Sequence, residues 1–328
     1  MSSTADRIKS FVAKKAVPIV LVFMCSVFAF MSPNFLTVSN ALTVLRQISM
    51  LCIMAAGVSL VMVCGQIDLS VASIASLCGV IAALIVVELD MPVGVAMWIA
   101  IAFGVGIGFL NGCLITYTRM NPMIGTLGTA TILSGIAYII CKGGTPIYGL
   151  PESAKFIGQG FVGPIPVPIL VMIVCLGINA FILAKTRIGR SMYAIGSNVE
   201  VARLSGINTN HIQILAYCGS GLFSALAGVI LMSRVFSGQP NGAVNYEMNT
   251  LTACIVGGIS IGGGSGNTAS VLIGALIVGI INNGLTIVRV SEYWQMIARG
   301  SILVFAVAID SIIRLRAEKS KKQIKHSK

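Results

Sequence analysis

The chain has 328 residues, of which 56% are hydrophobic and only 10% are charged, and its formal net charge is +12. A soluble domain carries about 25% charged residues, so a chain this apolar cannot cover its surface in water. The composition therefore excludes a soluble globular protein. It predicts an all-α polytopic membrane protein, in which spans of about 20 residues alternate with short loops.

A basic segment opens the chain. Residues 1–15 contain four lysines and arginines and precede the first apolar block, residues 16–35. That block is longer than the apolar core of a signal peptide, which has about 7–15 residues, and no clear cleavage site followed by a soluble domain accompanies it. We interpret residues 1–15 as a cytoplasmic N-terminal segment and the apolar block as a first membrane span.

Further apolar blocks predict about ten transmembrane helices within a membrane domain at 16–313. The predicted spans are 16–35, 43–64, 68–88, 94–117, 123–141, 164–184, 212–234, 248–262, 268–288 and 293–313.

The positive charges orient these spans. Of the 22 lysines and arginines, sixteen lie in residues 1–15, at Arg119, in the loop 185–211 and in a basic tail at 314–328. Because cytoplasmic loops carry the excess of lysine and arginine, both termini are predicted to be cytoplasmic. An anionic inner leaflet accounts for the basic tail, so no nucleic-acid partner is expected.

The loop 185–211, KTRIGRSMYAIGSNVEVARLSGINTNH, is the longest polar stretch on this side. A short polar helix held between two spans is suited to docking a soluble partner. Glu200 and Arg203 are three residues apart and share a face of such a helix.

Two spans are interrupted by similar sequences, GQIDLSVAS at 65–73 and GGISIGGGS at 257–265. The resemblance suggests a weak internal repeat, and repeated glycine-interrupted segments indicate a transport pathway. Broken or half helices are therefore expected at both sites. Asp68 and Ser70 are candidates for the N-cap of the helix that follows the first break.

The chain lacks the motifs of common active sites. It has no P-loop, no H-E-x-x-H and no G-x-S-x-G, and its nine cysteines form no C-x-x-C pair. We predict no catalytic residue and no metal site, and we interpret the cysteines as small buried side chains. The acidic residues fall at loops or span ends, which disfavours a proton-coupled carrier.

Uncharged polar residues within spans can bond between helices or line a polar path, which suits an uncharged solute. The candidates for a translocation pathway are Gln66, Asp68, Ser70, Asn111, Gly257, Gly258, Ser260, Asn282, Asn283 and Gln295. Asn179 is a further amide within a span.

Over nearly its full length the chain resembles the permease subunits of bacterial ABC importers of the ribose/xylose/arabinose type. The matching stretches include GQIDLSVAS at 65–73, FLNGCLITY at 109–117, NPMIGTLGTATILSGIAYIICKGGTPI at 121–147, TRIGRSMYAIGSNVEVARLSGIN at 186–208, YCGSGLFSALAGVILMSR at 217–234, GGISIGGGSG at 257–266 and NNGLTIVRVSEYWQ at 282–295. Gln66 and Ala72 stand where the family usually has glycine, which weakens any inference about the particular sugar.

The resemblance implies a multi-pass protein of the bacterial cytoplasmic (inner) membrane with three kinds of partner. They are a separate ATPase that binds ATP and Mg, a periplasmic or lipid-anchored sugar-binding protein, and a second permease, identical or related. This chain itself would bind no cofactor. External loops at 142–163 and 235–248 would receive the binding protein. The residues matching the ATPase-coupling segment are Gly196, Asn198, Glu200, Ala202, Arg203, Leu204 and Gly206.

Other functions stay open. A permease of the same superfamily could carry a nucleoside, a branched-chain amino acid, a furanosyl signalling molecule or another small solute. A gradient-driven carrier or passive channel is disfavoured by the absence of mid-span acids, and an intramembrane enzyme has no catalytic constellation. The sequence does not identify the sugar.

Overall fold

The computed structural model describes residues 21–326, and the regular secondary structure of this part is helical apart from one small hairpin. The helices are α1 Leu21–Met31, α2 Val38–Val63, α3 Val71–Val87, α4 Val93–Thr118, α5 Pro122–Ile140, a 3-10 helix Glu152–Lys155, α6 Phe156–Gln159, α7 Val167–Lys185, α8 Arg187–Ser197, α9 Val199–Leu204, α10 Thr209–Val235, α11 Tyr246–Gly257, α12 Thr268–Ile287 and α13 Glu292–His326. The hairpin pairs β1 Phe161–Val162 with β2 Ile165–Pro166.

The all-α prediction is confirmed, and each predicted span overlaps a helix. Among the described residues, seven helices are long and apolar enough to cross a membrane, namely α2, α4, α5, α7, α10, α12 and the Glu292–Ile312 part of α13. The described part of α1 and the helices α3 and α11 are shorter. The count of about ten spans and the orientation of the termini therefore stay predictions, and residues 1–15 lie outside the described residues.

The helix α2 forms the centre of the bundle, and its residues from Ile48 to Val63 are all buried. It packs against α7, α10, α11 and α12, while α10 also packs along α3 and α4. Large apolar side chains are exposed on α4, α5, α7 and α13, for example Trp98, Ile139 and Phe305. An apolar outer surface around a buried core is what a bundle in lipid requires.

Several boundaries differ from the predicted ones. The last helix continues past the predicted span end at residue 313 and runs through the basic tail to His326. The loop predicted at 142–163 holds the 3-10 helix, α6 and the start of the hairpin. These pieces are short and rich in glycine and proline, so hydropathy gives no signal for them.

The segment 142–166 is attached to the end of α10 that lies farthest from α8 and α9, which we call the outer face. The Gly158 N–H donates to Ser233 Oγ at 2.8 Å, and Ser233 Oγ donates to the Ala154 carbonyl. Ile147 and Gly238 exchange two backbone hydrogen bonds of 2.9 Å. These contacts join the two loops predicted to receive a binding protein.

Candidate coupling surface and polar pathway

The predicted docking loop folds as two helices. At the start of α8, Thr186 Oγ1 accepts a hydrogen bond from the Gly189 N–H at 3.0 Å, a typical N-cap. Met192 and Ile195 are buried against the membrane helices. Since α8 is held by its apolar face, it places α9 at the surface of the bundle.

The helix α9 presents an exposed face with both apolar and charged side chains. Asn198 caps it by accepting hydrogen bonds from the N–H groups of Glu200 and Val201 at 3.0 and 3.1 Å. Glu200 and Arg203 form an ion pair of 4.0 Å on its surface, as the shared face predicts. Leu204 is 87% exposed, whereas Ala202 is buried and fixes the opposite face. Gly206 follows with φ +81°.

Three glycine segments meet at the end of α8, just before α9 begins. A Cβ on Gly263 would lie 2.6 Å from Gly65 Cα and 2.8 Å from Gly196 Cα, and a Cβ on Gly196 would overlap the Val63 carbonyl. The Gly264 N–H donates to this carbonyl at 2.9 Å. We call Gly65, Gly196 and Gly263 the glycine junction. It places the docking loop in backbone contact with both breaks.

A second bond reinforces this attachment. Tyr193 Oη, on α8, donates to the Gly266 carbonyl at 2.7 Å. Burial raises the pKa of the Tyr193 hydroxyl, so it stays protonated and able to donate. The docking loop is therefore fixed to the second break by a side chain as well as by glycine packing.

The two breaks end their preceding helices in the same way. After α2, the Gly65 N–H donates to the Met62 carbonyl and the Gln66 N–H to the Val61 carbonyl. After α11, Gly258 and Ile259 repeat this pattern. Both glycines have positive φ, +79° and +105°. This is the Schellman motif, and it agrees with the repeat suggested by the sequence.

Asp68 lies in the first break and is completely buried. Its Oδ1 accepts from the Ser70 N–H at 2.9 Å and from Ser70 Oγ at 2.6 Å, and its Oδ2 accepts from Ser220 Oγ at 2.7 Å. Asn111 Nδ2 donates to Ser70 Oγ at 2.9 Å. We call Asp68, Ser70, Asn111 and Ser220 the Asp68 cluster; it joins the break to α4 and α10.

The capping prediction for this break is only partly correct. Ser70 occupies the N-cap position of α3, but its side chain makes no capping bond because its hydroxyl donates to Asp68. Thr126 Oγ1, on α5, accepts a hydrogen bond of 3.0 Å from the N–H of the neighbouring Leu69. The polar groups of the break are thus satisfied by one another and by distant helices rather than by the helix that follows.

Gln66 borders a cavity of about 710 Å³ on the α9 side of the protein. Its lining includes Arg119, Glu200 and Arg203. Gln66 Oε1 is buried without a hydrogen-bond partner among the described residues. The remaining candidates of the second break pack closely, since a Cβ on Gly257 would overlap the Ser270 carbonyl and Ser260 Oγ accepts from the Gly262 N–H at 3.3 Å. Gly258 is exposed.

A second cavity, of about 450 Å³, lies between α2, α11, α12 and α13 near the outer face, and we call it the outer cavity. Its lining includes Gln47, Arg234, Asn249, Asn282 and Gln295. Asn282 and Gln295 are predicted pathway candidates. Gln47, Arg234 and Asn249 were not singled out from the sequence, although a glutamine four residues into a predicted span is the signal that could have found the first.

The neighbouring candidate Asn283 has a different environment. Its side chain and that of Asn40 exchange two hydrogen bonds of 3.1 and 3.0 Å. Asn179 likewise bonds between helices, donating to the Ala56 carbonyl at 2.8 Å and accepting from Thr268 Oγ1 at 2.6 Å. These two amides hold helices together, and whether any candidate lines a translocation pathway stays a prediction.

Comparisons with known proteins agree with the resemblance to permease subunits that extends along the sequence. A family model described as "Branched-chain amino acid transport system / permease component" matches residues 40–307. The ribose import permease protein of Haemophilus influenzae is 38% identical over 298 residues, which cover 90% of this chain and 92% of the relative.

Two further relatives come from Escherichia coli K12. The galactose/methyl galactoside import permease protein is 35% identical over 312 residues, covering 90% of this chain and 93% of the relative. The L-arabinose transport system permease protein is 37% identical over 297 residues, covering 89% and 87%. No solved structure matches the chain. The family match and these nearly full-length relatives show that the chain belongs to the family of branched-chain amino acid transport system permease components.

Proposed function

We propose that this chain is the membrane-spanning permease subunit of an ATP-driven ABC importer that carries a ribose-type monosaccharide into a bacterial cell. The observation that carries the proposal is α9, an exposed and well-capped helix that directly follows α8, whose Gly196 touches both breaks in the glycine junction. The printed names of the ribose, galactose and arabinose permeases support a monosaccharide as the solute.

The α9 surface is suited to a soluble ATPase subunit. Val201 and Leu204 are 58% and 87% exposed, and apolar groups this exposed favour burial by a partner. Glu200 and Arg203 flank them and supply charges for alignment. ATP and Mg would bind on that partner, and this chain would contribute no ligand to them.

The transport step follows from the contacts behind α9. Closure of the ATPase subunits on ATP would displace α9 and, with it, Gly196. Because a Cβ at Gly196 has no room against Val63 and Gly264, these backbones must move together. The displacement would reach α2 and α12 through the two breaks, and α4 and α10 through the Asp68 cluster, and so change access to the pathway.

The outer face supports a role in receiving an extracytoplasmic sugar-binding protein. The loops 142–163 and 235–248 are joined through Ile147 and Gly238. Lys155 lies over the Phe236 ring at 4.3 Å and pairs with Glu152 at 2.7 Å, so it adds a second contact between these two loops. Loops that are already joined need little rearrangement when a partner binds.

The assembly we propose is a multi-pass protein of the inner membrane with about ten spans, both termini cytoplasmic, and a second permease beside it. The distribution of lysine and arginine supports the orientation. A homodimer is the default for symmetric assemblies, and a related second permease is the other form.

The test is a double substitution on α9, Glu200→Ala with Arg203→Ala. We expect uptake and co-purification of the ATPase to fall by at least about tenfold, equivalent to about 1.4 kcal/mol of docking free energy. The protein should still insert and stay monodisperse in detergent, because the exposed pair contributes little to stability. Normal uptake by this variant would exclude α9 as the docking site.

The chain offers a matched control on the opposite face. Glu152 and Lys155 form another ion pair with the same three-residue spacing. Replacing both with alanine should leave ATPase co-purification unchanged. An equal loss of ATPase co-purification in both double variants would indicate a general defect of the protein rather than the loss of a docking surface.

The family description favours a second candidate solute, a branched-chain amino acid. Uptake by cells expressing the complete importer distinguishes the two. Inhibition of this uptake by D-ribose, L-arabinose or D-galactose supports a sugar importer, whereas inhibition by L-leucine alone supports the amino-acid alternative.

A further inference from the structure

We propose that the outer cavity is a monosaccharide-binding site of the permease itself, complete within one protomer. The inference rests on the proposed function, because it assigns to the carried solute a place in this chain. It goes beyond that function because the site would recognise free sugar without the binding protein or the ATPase.

Unpaired hydrogen-bonding groups are the first observation. Asn282 Oδ1 is buried and has no partner among the described residues. The side chains of Gln47 and Asn249 also line the outer cavity, and neither makes a hydrogen bond with a described residue. Gln47 and Asn249 are half-buried and open to the cavity, whereas the buried Asn282 Oδ1 would normally have a partner, so water or a solute in the cavity would complete it.

One charged side chain of the cavity, Arg234, also lacks a close partner of opposite charge among the described residues. Arg234 bonds only to the Met50 sulfur, at 3.9 Å, and no carboxylate of a described residue lies within 4.0 Å of it. Arg299 and Glu292 contribute opposite charges to the same lining. A lining that contains both signs together with neutral amides disfavours a purely anionic ligand.

The size of the cavity fits a small solute. Its volume of about 450 Å³ falls within the range of about 300–1,000 Å³ that is usual for small-molecule sites. Its walls come from α2, α10, α11, α12 and α13 of one chain. The site therefore needs no residue from a second permease.

The side chains select the class of ligand. Ile48 and Leu51 supply the only aliphatic side chains of the lining. A branched-chain amino acid would need an apolar pocket for its side chain, which two residues on one helix do not enclose. A sugar carries hydroxyl groups that both donate and accept, and these match amides such as Asn249, Asn282 and Gln295.

The outer cavity also borders α11. A separate void of about 10 Å³ shares Asn249, Asn282 and Arg299 with it and borders Thr252, halfway along α11. This helix ends at the second break, beside the glycine junction. Sugar bound in the outer cavity would thus contact a helix whose other end leads into the break that the loop 185–211 touches.

The test measures binding of radiolabelled D-ribose, L-arabinose and D-galactose to the full chain, purified in detergent without its partners, by equilibrium dialysis. We expect millimolar binding of at least one sugar. The Asn282→Leu and Gln47→Leu variants, which remove amides but keep volume, should each weaken it by about tenfold or more, the equivalent of about one well-formed hydrogen bond. L-Leucine should not compete.

Asn241→Leu is the matched control, because Asn241 is an exposed amide that does not line the cavity. The sugar affinity of the Asn241→Leu variant should be unchanged, and all variants should elute as monodisperse protein. Equal binding by the Asn282→Leu, Gln47→Leu and parent proteins would overturn the proposed site, as would the absence of sugar binding by the parent protein. 

These outcomes are separable from failure of the proposed function. If the complete importer takes up sugar in an ATP-dependent manner while the isolated chain binds none, the proposed function stands and this inference fails. If the isolated chain binds L-leucine in place of sugar, the assigned ligand class is wrong. If uptake does not depend on an ATPase, the proposed function fails whatever the cavity binds.

Discussion

The Asp68 cluster and the outer cavity contain similar polar side chains in the same apolar bundle, but they differ in how their hydrogen-bonding groups are paired. Both carboxylate oxygens of Asp68 accept hydrogen bonds of 2.6–2.9 Å, and the group is completely buried. In the outer cavity, Asn282 Oδ1 has no partner among the described residues, and Arg234 reaches only a sulfur.

This difference separates a structural role from a binding role. A buried polar network whose members are all paired fixes the helices that contribute to it, because loss of one member leaves the others unsatisfied. Polar groups that face a cavity without partners cost little to remove and are available to a solute. Stability should therefore depend on the first cluster, and solute affinity on the second.

The largest expected effect is that of Asp68→Ala. The substitution leaves the Ser70 N–H and the hydroxyls of Ser70 and Ser220 without their acceptor in a buried position. Each unsatisfied group costs about 1–3 kcal/mol, so we expect a loss of about 3 kcal/mol in unfolding free energy. The measurement is the midpoint of thermal unfolding in detergent, followed by loss of the monodisperse species.

Asp68→Asn refines this prediction. The amide keeps one oxygen as an acceptor for Ser70, and the Ser220 hydroxyl can turn to accept from the new NH₂ group. We expect this variant to be more stable than Asp68→Ala. If the two variants unfold at the same temperature as the parent protein, the cluster does not hold the helices and the contrast with the outer cavity disappears.

Asn283→Ala should have a smaller effect. It removes a reciprocal amide pair and leaves the Asn40 carbonyl oxygen without its donor, while Asn40 keeps its bond to the Phe35 carbonyl at 2.9 Å. The expected cost is about 1–2 kcal/mol, read from the same unfolding measurement.

Asn282→Ala is the natural comparison, since it changes the same residue type one position away. The Asn282 amide makes no hydrogen bond with a described residue, so this variant should unfold close to the parent temperature. If Asn282→Ala proved the less stable of the two, the distinction between paired and open amides would be wrong.

The helices themselves could be predicted from the sequence, because an apolar stretch in lipid has few alternatives to helical structure. The short helix α9 was also predictable, since Asn198 and Gly206 mark its ends and its polarity interrupts an apolar chain. The hairpin at 161–166 could not be predicted. It consists of two pairs of residues and depends on contacts such as Gly158 with Ser233, 75 positions apart.

The roles of individual polar residues were less accessible to sequence. Asp68 lies at the end of a predicted span, and its complete burial arises from residues on α4, α5 and α10, which no local pattern connects to it. Asn282 and Asn283 are adjacent, but successive helical residues point about 100° apart and meet different neighbours. Only the position of Asn40 shows which of the two is paired.

The smallest expected effect is that of Asn249→Ala on stability. Asn249 lines the outer cavity and its side chain makes no hydrogen bond with a described residue, so the free energy of unfolding should change by no more than about 0.5 kcal/mol. Sugar affinity should nevertheless fall, because an amide is lost from the lining. A variant that unfolds as readily as Asn283→Ala would show that the cavity residues also hold the helices together. A variant with parental stability and weaker sugar binding would separate the two roles within a single side chain.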